Sequence, residues 1–137
     1  MRNAKRVFAA ILLMSILSMV CITTFASSEK MEPRYSNFDN CVLLFSATES
    51  GGYIDVTYNG YDSFLRADLT VKLEKRTLLF FWNEIDVWNV SSTQSNGHLS
   101  HVFALNGSGK YRATFTLLIT GSDGSVDSVQ ETIESKY

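Results

Sequence analysis

From residue 41 onward the chain alternates apolar and polar positions with a period of two, in runs of seven to eleven residues separated by Gly, Asn, Ser and Asp. That period puts successive side chains on opposite faces of a β-strand, so the pattern predicts strands with one buried and one wet face. Residues 64–74 are the clearest case: Leu65, Ala67, Leu69, Val71 and Leu73 alternate with Arg66, Asp68, Thr70, Lys72 and Glu74. Residues 41–47 form an earlier strand, ended by Thr48-Glu49-Ser50-Gly51-Gly52. In residues 53–59, Ile54, Val56 and Tyr58 oppose Asp55 and Thr57, and Asn59-Gly60 predicts a turn. A further strand over 98–105 is closed by Asn106-Gly107-Ser108-Gly109. Residues 111–120 then gather Tyr111, Ala113, Phe115, Leu117 and Ile119 on one face. Residues 126–135 have only Val129 and Ile133, with Tyr137 beyond, among polar neighbours, which suits an edge strand. About seven strands and no amphipathic segment of helical length predict an all-β, two-sheet antiparallel immunoglobulin-like sandwich over residues 41–137.

Residues 78–90 depart from this regularity, reading Leu78-Leu79-Phe80-Phe81-Trp82-Asn83-Glu84-Ile85-Asp86-Val87-Trp88-Asn89-Val90. On one strand Leu78, Phe80 and Trp82 would share a face and Leu79 and Phe81 the other, whereas a sandwich sheet buries only one. One solution is a cover: residues 27–40 through Met31, Tyr35 and Phe38, a ligand, a second copy of the chain, or the cell envelope. The other is a kink or bulge between Phe81 and Ile85 that turns both sets inward.

The first 26 residues are of a different kind. Arg2, Lys5 and Arg6 precede an apolar run over residues 7–22, and Thr24 and Ala26 supply small residues at −3 and −1 of a cleavage site. This is the pattern of a secretory signal peptide. A membrane anchor would need about 20 apolar residues, and this run is interrupted by Ser15 and Ser18. Lipidation at Cys21 is disfavoured by Val20, where a small residue would be needed. The expectation is therefore export without lipid and no stable membrane span after cleavage. Residues 27–40, polar and holding the single proline, Pro33, are expected to be a flexible lead-in.

Cleavage would leave a chain with 9 basic and 14 acidic groups, a net charge near −5. That balance disfavours nucleic acid, which is bound chiefly through Lys and Arg on its phosphates. It would also leave Cys41 as the one cysteine, excluding an intrachain disulfide. Cys41 opens an apolar run and is read as a small core residue rather than a nucleophile.

In Gly109-Lys110-Tyr111-Arg112, Gly-x-Tyr at the start of a late strand fits the tyrosine corner of immunoglobulin-like sandwiches, or an ordinary strand tyrosine with a buried ring and a wet hydroxyl. The chain resembles a loosely defined group of small secreted proteins of clostridia-type Gram-positive bacteria, immunoglobulin-like and without an assigned function. The resemblance rests on Gly51-Gly52, Leu73-Glu74-Lys75, Trp82-x-x-Ile85-x-x-Trp88, Gly109-Lys110-Tyr111-Arg112, Glu131 and Ser135-Lys136-Tyr137. The connection before Trp82, usually polar in that group, is here Thr77-Leu78-Leu79-Phe80-Phe81. The resemblance implies a fold and a location, and no activity.

Catalytic patterns are weak. His98-x-x-His101 on a strand would point to opposite faces, so metal binding is not expected. There is no Gly-x-Ser-x-Gly elbow for a Ser-His-Asp enzyme. Glu84-x-Asp86 fits a solvated pair as well as glycosidase carboxylates, and Asp123-x-x-x-Asp127 lacks the density of a calcium loop. Phosphate-loop and dinucleotide fingerprints are missing, so no cofactor is expected. Asn89-Val90-Ser91 and Asn106-Gly107-Ser108 are N-glycosylation sequons near predicted loops, open to glycosylation in a eukaryotic secreted protein and otherwise chance occurrences, the reading that the bacterial resemblance favours. The sequence-level expectation is a secreted, non-enzymatic domain for surface recognition at the cell envelope, its candidate partners a protein, a glycan or a second copy of the chain in a homodimer, with Phe81, Trp82, Trp88 and Tyr61 as candidate binding residues. The alternatives are a carbohydrate-binding module stacking sugars on Trp82, Trp88 and Tyr61, and, third, a small secreted hydrolase.

Overall fold

The computed structural model describes residues 35–137; the expected signal peptide over residues 1–26, Cys21 and Met31 lie outside the described residues. Seven antiparallel strands follow one another: β1 (Phe38–Thr48), β2 (Gly51–Gly60), β3 (Phe64–Thr77), β4 (Phe81–Ser92), β5 (Asn96–Phe103), β6 (Lys110–Gly121) and β7 (Val126–Lys136). They form two sheets, ordered β1-β2-β5 and β4-β3-β6-β7. In a constant-type immunoglobulin domain the fourth strand borders the first sheet. Here the short turn at residues 78–80 folds β4 back on β3, because so brief a connection permits only an antiparallel hairpin. No helix of the described residues is long and apolar enough to cross a membrane.

The core between the sheets is made by the faces that alternation marks. Leu69, Val71 and Leu73 of β3 pair in register with Leu117, Phe115 and Ala113 of β6, all buried. Phe45, Ile54, Val56 and Tyr58 close it from the other sheet. Gly97 lies opposite Tyr58 across β2 and β5, and a Cβ there would sit 2.0 Å from the tyrosine ring. That glycine makes room for the ring, whose hydroxyl donates to the carbonyl of Gln94 at 3.1 Å.

Three readings change at the strand ends. β1 starts at Phe38, ahead of Cys41, because Phe38 is buried and the amides of Ser36 and Asn37 donate to the Asp127 carboxylate at 2.8 and 2.7 Å. Leu65, expected in the core, is exposed. A bulge between Phe64 and Arg66 in the β3–β6 pairing gives the inward position to Phe64, which stacks on Tyr58 at 5.8 Å. Cys41 is half-buried rather than fully buried. Its thiol pKa is raised by burial and by the charge of Glu131, the opposite of what a thiolate nucleophile needs.

Tyr111 forms the tyrosine corner. Its ring is fully buried at the start of β6, and its hydroxyl donates to the carbonyl of Gly107 at 2.5 Å, tying down the β5–β6 connection.

Candidate functional site

The last residue pair joining β3 to β6 is Lys75 with Tyr111. Beyond it β3 and β4 continue through the pairs Arg76–Trp82 and Thr77–Phe81 to the turn, while β6 and β7 run on separately through Lys110–Lys136 and the Gly109–Tyr137 backbone pair. At the hairpin tip Leu78, Leu79, Phe80 and Phe81 are 86%, 72%, 79% and 64% exposed. The turn is held from behind by Arg76, whose Nε–H donates to the Leu79 carbonyl at 2.9 Å. Leu78 adopts φ = +50°, the left-handed region that glycine and asparagine enter cheaply and leucine does not. Nothing in the sandwich's core offsets that cost, because this side chain points into solvent.

Both resolutions offered for this stretch are settled in part. Tyr35 and Phe38 stack on each other at 4.1 Å near the β7 end that binds Ser36 and Asn37, so they do not cover the hairpin. A bulge does occur: Leu73 pairs with Asp86 and Glu74 with Glu84, leaving Ile85 unpaired. It brings Ile85, Trp88 and Val90 against the core and leaves residues 78–81 outside. It also turns Glu84 and Asp86, which strict alternation would put together, to opposite faces.

The four nominated residues are not gathered into one surface. Phe81 is at the hairpin tip. Trp82, next to it, points to the outer face of the four-stranded sheet, where its ring lies 4.4 Å from Cζ of Arg112. That guanidinium donates to Glu74 at 2.6 Å and holds the Glu74 carboxyl below its usual range. Trp88 faces inward at the sheet edge, stacked on His101 at 4.6 Å with the planes 11° apart, and His101 meets Phe103 edge-on at 4.8 Å. Tyr61 lies in the β2–β3 connection, at the opposite end of β3 from the hairpin, with its hydroxyl 3.4 Å from Asp39. Trp82, Trp88 and Tyr61 thus form no common platform.

The remaining groups have structural partners. His98 lies on the outer face of the three-stranded sheet, 2.6 Å from Asp55, while His101 is at the core edge. Among the described residues neither histidine hydrogen-bonds a serine, and no three His, Cys, Asp or Glu side chains are gathered around one metal position. The Asp123 carboxylate receives the amide and hydroxyl of Ser125. Asn89 sits within β4 rather than in a loop, accepting the Thr70 hydroxyl at 2.7 Å, whereas Asn106 is in the β5–β6 connection.

A second apolar surface escaped the sequence reading. Val42, Leu44, Tyr53 and Val102, 42–56% exposed, share the outer face of the β1-β2-β5 sheet, where Leu44, Tyr53, Asp55 and Ser100 line a shallow open depression. The signal was present, since Cys41-Val42-Leu43-Leu44-Phe45 is apolar at every position and so on both faces.

Compared with known proteins, the chain matches no family model, no curated protein and no solved structure.

Proposed function

We propose that this is a secreted, non-catalytic, immunoglobulin-like recognition module that works at the cell envelope, and that the β3–β4 hairpin tip is its contact element. The observation that carries the reading is the row of four consecutive apolar side chains exposed to water at the hairpin tip. A monomer gains nothing from exposing them and one of them strains its backbone, whereas a contact partner would bury all four. The signal-like residues 1–26 and the resemblance to small secreted immunoglobulin-like proteins support the location.

The experiment is cosedimentation of the chain from Ser27 onward, which contains every core residue described, with cell envelopes of the organism that encodes it. The double variant Leu79→Ser/Phe80→Ser serves as control. The wild type is expected to sediment with the envelopes and the variant to stay in solution with an unchanged unfolding midpoint. Equal behaviour of the two, whether both bind or neither does, would overturn the reading.

A further inference from the structure

We infer that Asn106-Gly107 is a site of spontaneous covalent modification, at which Asn106 converts through a cyclic imide to aspartate and isoaspartate. This chemistry is independent of whether the hairpin tip is a contact element.

An asparagine converts in this way when the backbone nitrogen of the next residue attacks its side-chain amide. Glycine in that place leaves the approach unhindered, because it has no Cβ. The sequence holds three such pairs, Asn59-Gly60, Asn96-Gly97 and Asn106-Gly107. The fold treats them differently. At Asn59-Gly60 the attacking group is occupied: the Gly60 amide donates to the Ser95 carbonyl at 2.6 Å, and Asn59 Nδ2 donates to Asn40 Oδ1 at 2.9 Å. Asn96 and Gly97 both belong to β5, in register with Asn59 and Tyr58, and Gly97 is buried against the Tyr58 ring. Asn106-Gly107 lies outside the ladders, exposed in the β5–β6 connection. Among the described residues no acceptor takes the Gly107 amide hydrogen. A Cβ built on Gly107 would meet nothing beyond its chain neighbours but Lys75 Nζ, at 3.8 Å, so the space around it is open.

Lys75 assists the reaction. Its Nζ donates to the carbonyl oxygen of Asn106, which belongs to the same peptide unit as the Gly107 nitrogen. When hydroxide takes the proton from that nitrogen, peptide resonance spreads the negative charge onto this oxygen. The ammonium therefore stabilises the nucleophile as it forms. The Gly107 nitrogen bonds to Asn106 Cγ, the Cγ–Nδ2 bond breaks, and Nδ2 takes a proton from water and leaves as ammonia. A second water opens the imide: attack at Cγ gives aspartate, and attack at the main-chain carbonyl carbon gives isoaspartate, whose chain runs on through Cγ. Nothing is oxidised or reduced. Either product places a new carboxylate in the connection that Lys75 and Tyr111 hold, and isoaspartate lengthens its backbone by one carbon.

The test is peptide mapping by mass spectrometry of the chain from Ser27 onward, aged in mildly alkaline buffer either folded or in urea. In the folded protein Asn106 is expected to convert more than about tenfold faster than Asn59 and Asn96, which wait for their ladders to open. In urea the three should convert at similar rates. Lys75→Met is expected to slow Asn106 in the folded protein about three- to tenfold, as the loss of one hydrogen bond to the forming anion would, and Lys75→Arg to keep the wild-type rate. Similar rates at the three sites in the folded protein, or an Asn106 that stays intact while urea converts all three, would overturn the site. A Lys75→Met rate that is unchanged, or faster because Lys75 had only tethered the connection, would overturn the assistance by Lys75.

Discussion

The carboxylate of Glu74 accepts the Nε–H of Arg112 at 2.6 Å across β3 and β6, on a face where Glu74 is only 6% exposed. Lys72 adds a weaker contact at 3.5 Å, and the Trp82 ring covers the guanidinium. The arrangement joins the base of the hairpin to the sheet.

Because that hydrogen bond holds the Glu74 carboxyl below its ordinary value of 4.5, the pair's contribution is complete above that pH and is lost as pH falls through the lowered value. Glu74→Gln is expected to cost about 1–3 kcal/mol at neutral pH and to flatten the decline in unfolding midpoint on acidification. Glu134 and Asp123, also lowered by their partners, leave a residual slope. Parallel pH curves for variant and wild type would contradict this role.

Leu69 is 1% exposed between the sheets, and Thr70 faces outward. Leu69→Ala should cost roughly 2–5 kcal/mol, and Thr70→Ala, which loses one surface hydrogen bond, less than about 1. Denaturant midpoints separate the two; equal values would mean that the register is displaced by one residue.

Removing the Tyr111 hydroxyl leaves the ring in place and the Gly107 carbonyl without its donor. Tyr111→Phe is expected to cost about 0.5–1.5 kcal/mol and to speed amide exchange in residues 104–109 more than in the strands. Unchanged exchange there would show that the corner does not restrain the connection.

Leu78→Asn replaces a leucine at φ +50° by a residue that enters that region readily. The midpoint should hold or rise by up to about 1 kcal/mol. A clear loss of stability would mean that Leu78 is packed rather than exposed.

The strands and their core faces were legible because each buried face is written as a period of two, as in residues 67–73 and 111–119. What periodicity could not show were places where the chain leaves it. The bulge before Arg66 exchanges Leu65 for Phe64, and the one at Ile85 separates Glu84 from Asp86. The buried Asn37 and Phe38 sit in a polar-looking stretch because their anchor, Asp127, is 90 residues away in sequence. Gly97 shows its purpose only once Tyr58 is seen opposite it. The apolar surplus at residues 78–81 was legible, but its site was not: whether such a run ends in the core or at a tip depends on where β6 stops pairing with β3. The candidate aromatics scattered for the same reason, since sequence proximity says nothing about which sheet edge or end a side chain reaches.

The central claim is that residues 78–81 are surface built for contact and not part of the core, and the unfolding midpoint of Phe81→Asp tests it most directly. Phe81 is 64% exposed, so the variant should fold as a monomer with a midpoint within about 0.5 kcal/mol of wild type. A variant that unfolds, or loses several kcal/mol as a charge buried in the core would, would contradict the account.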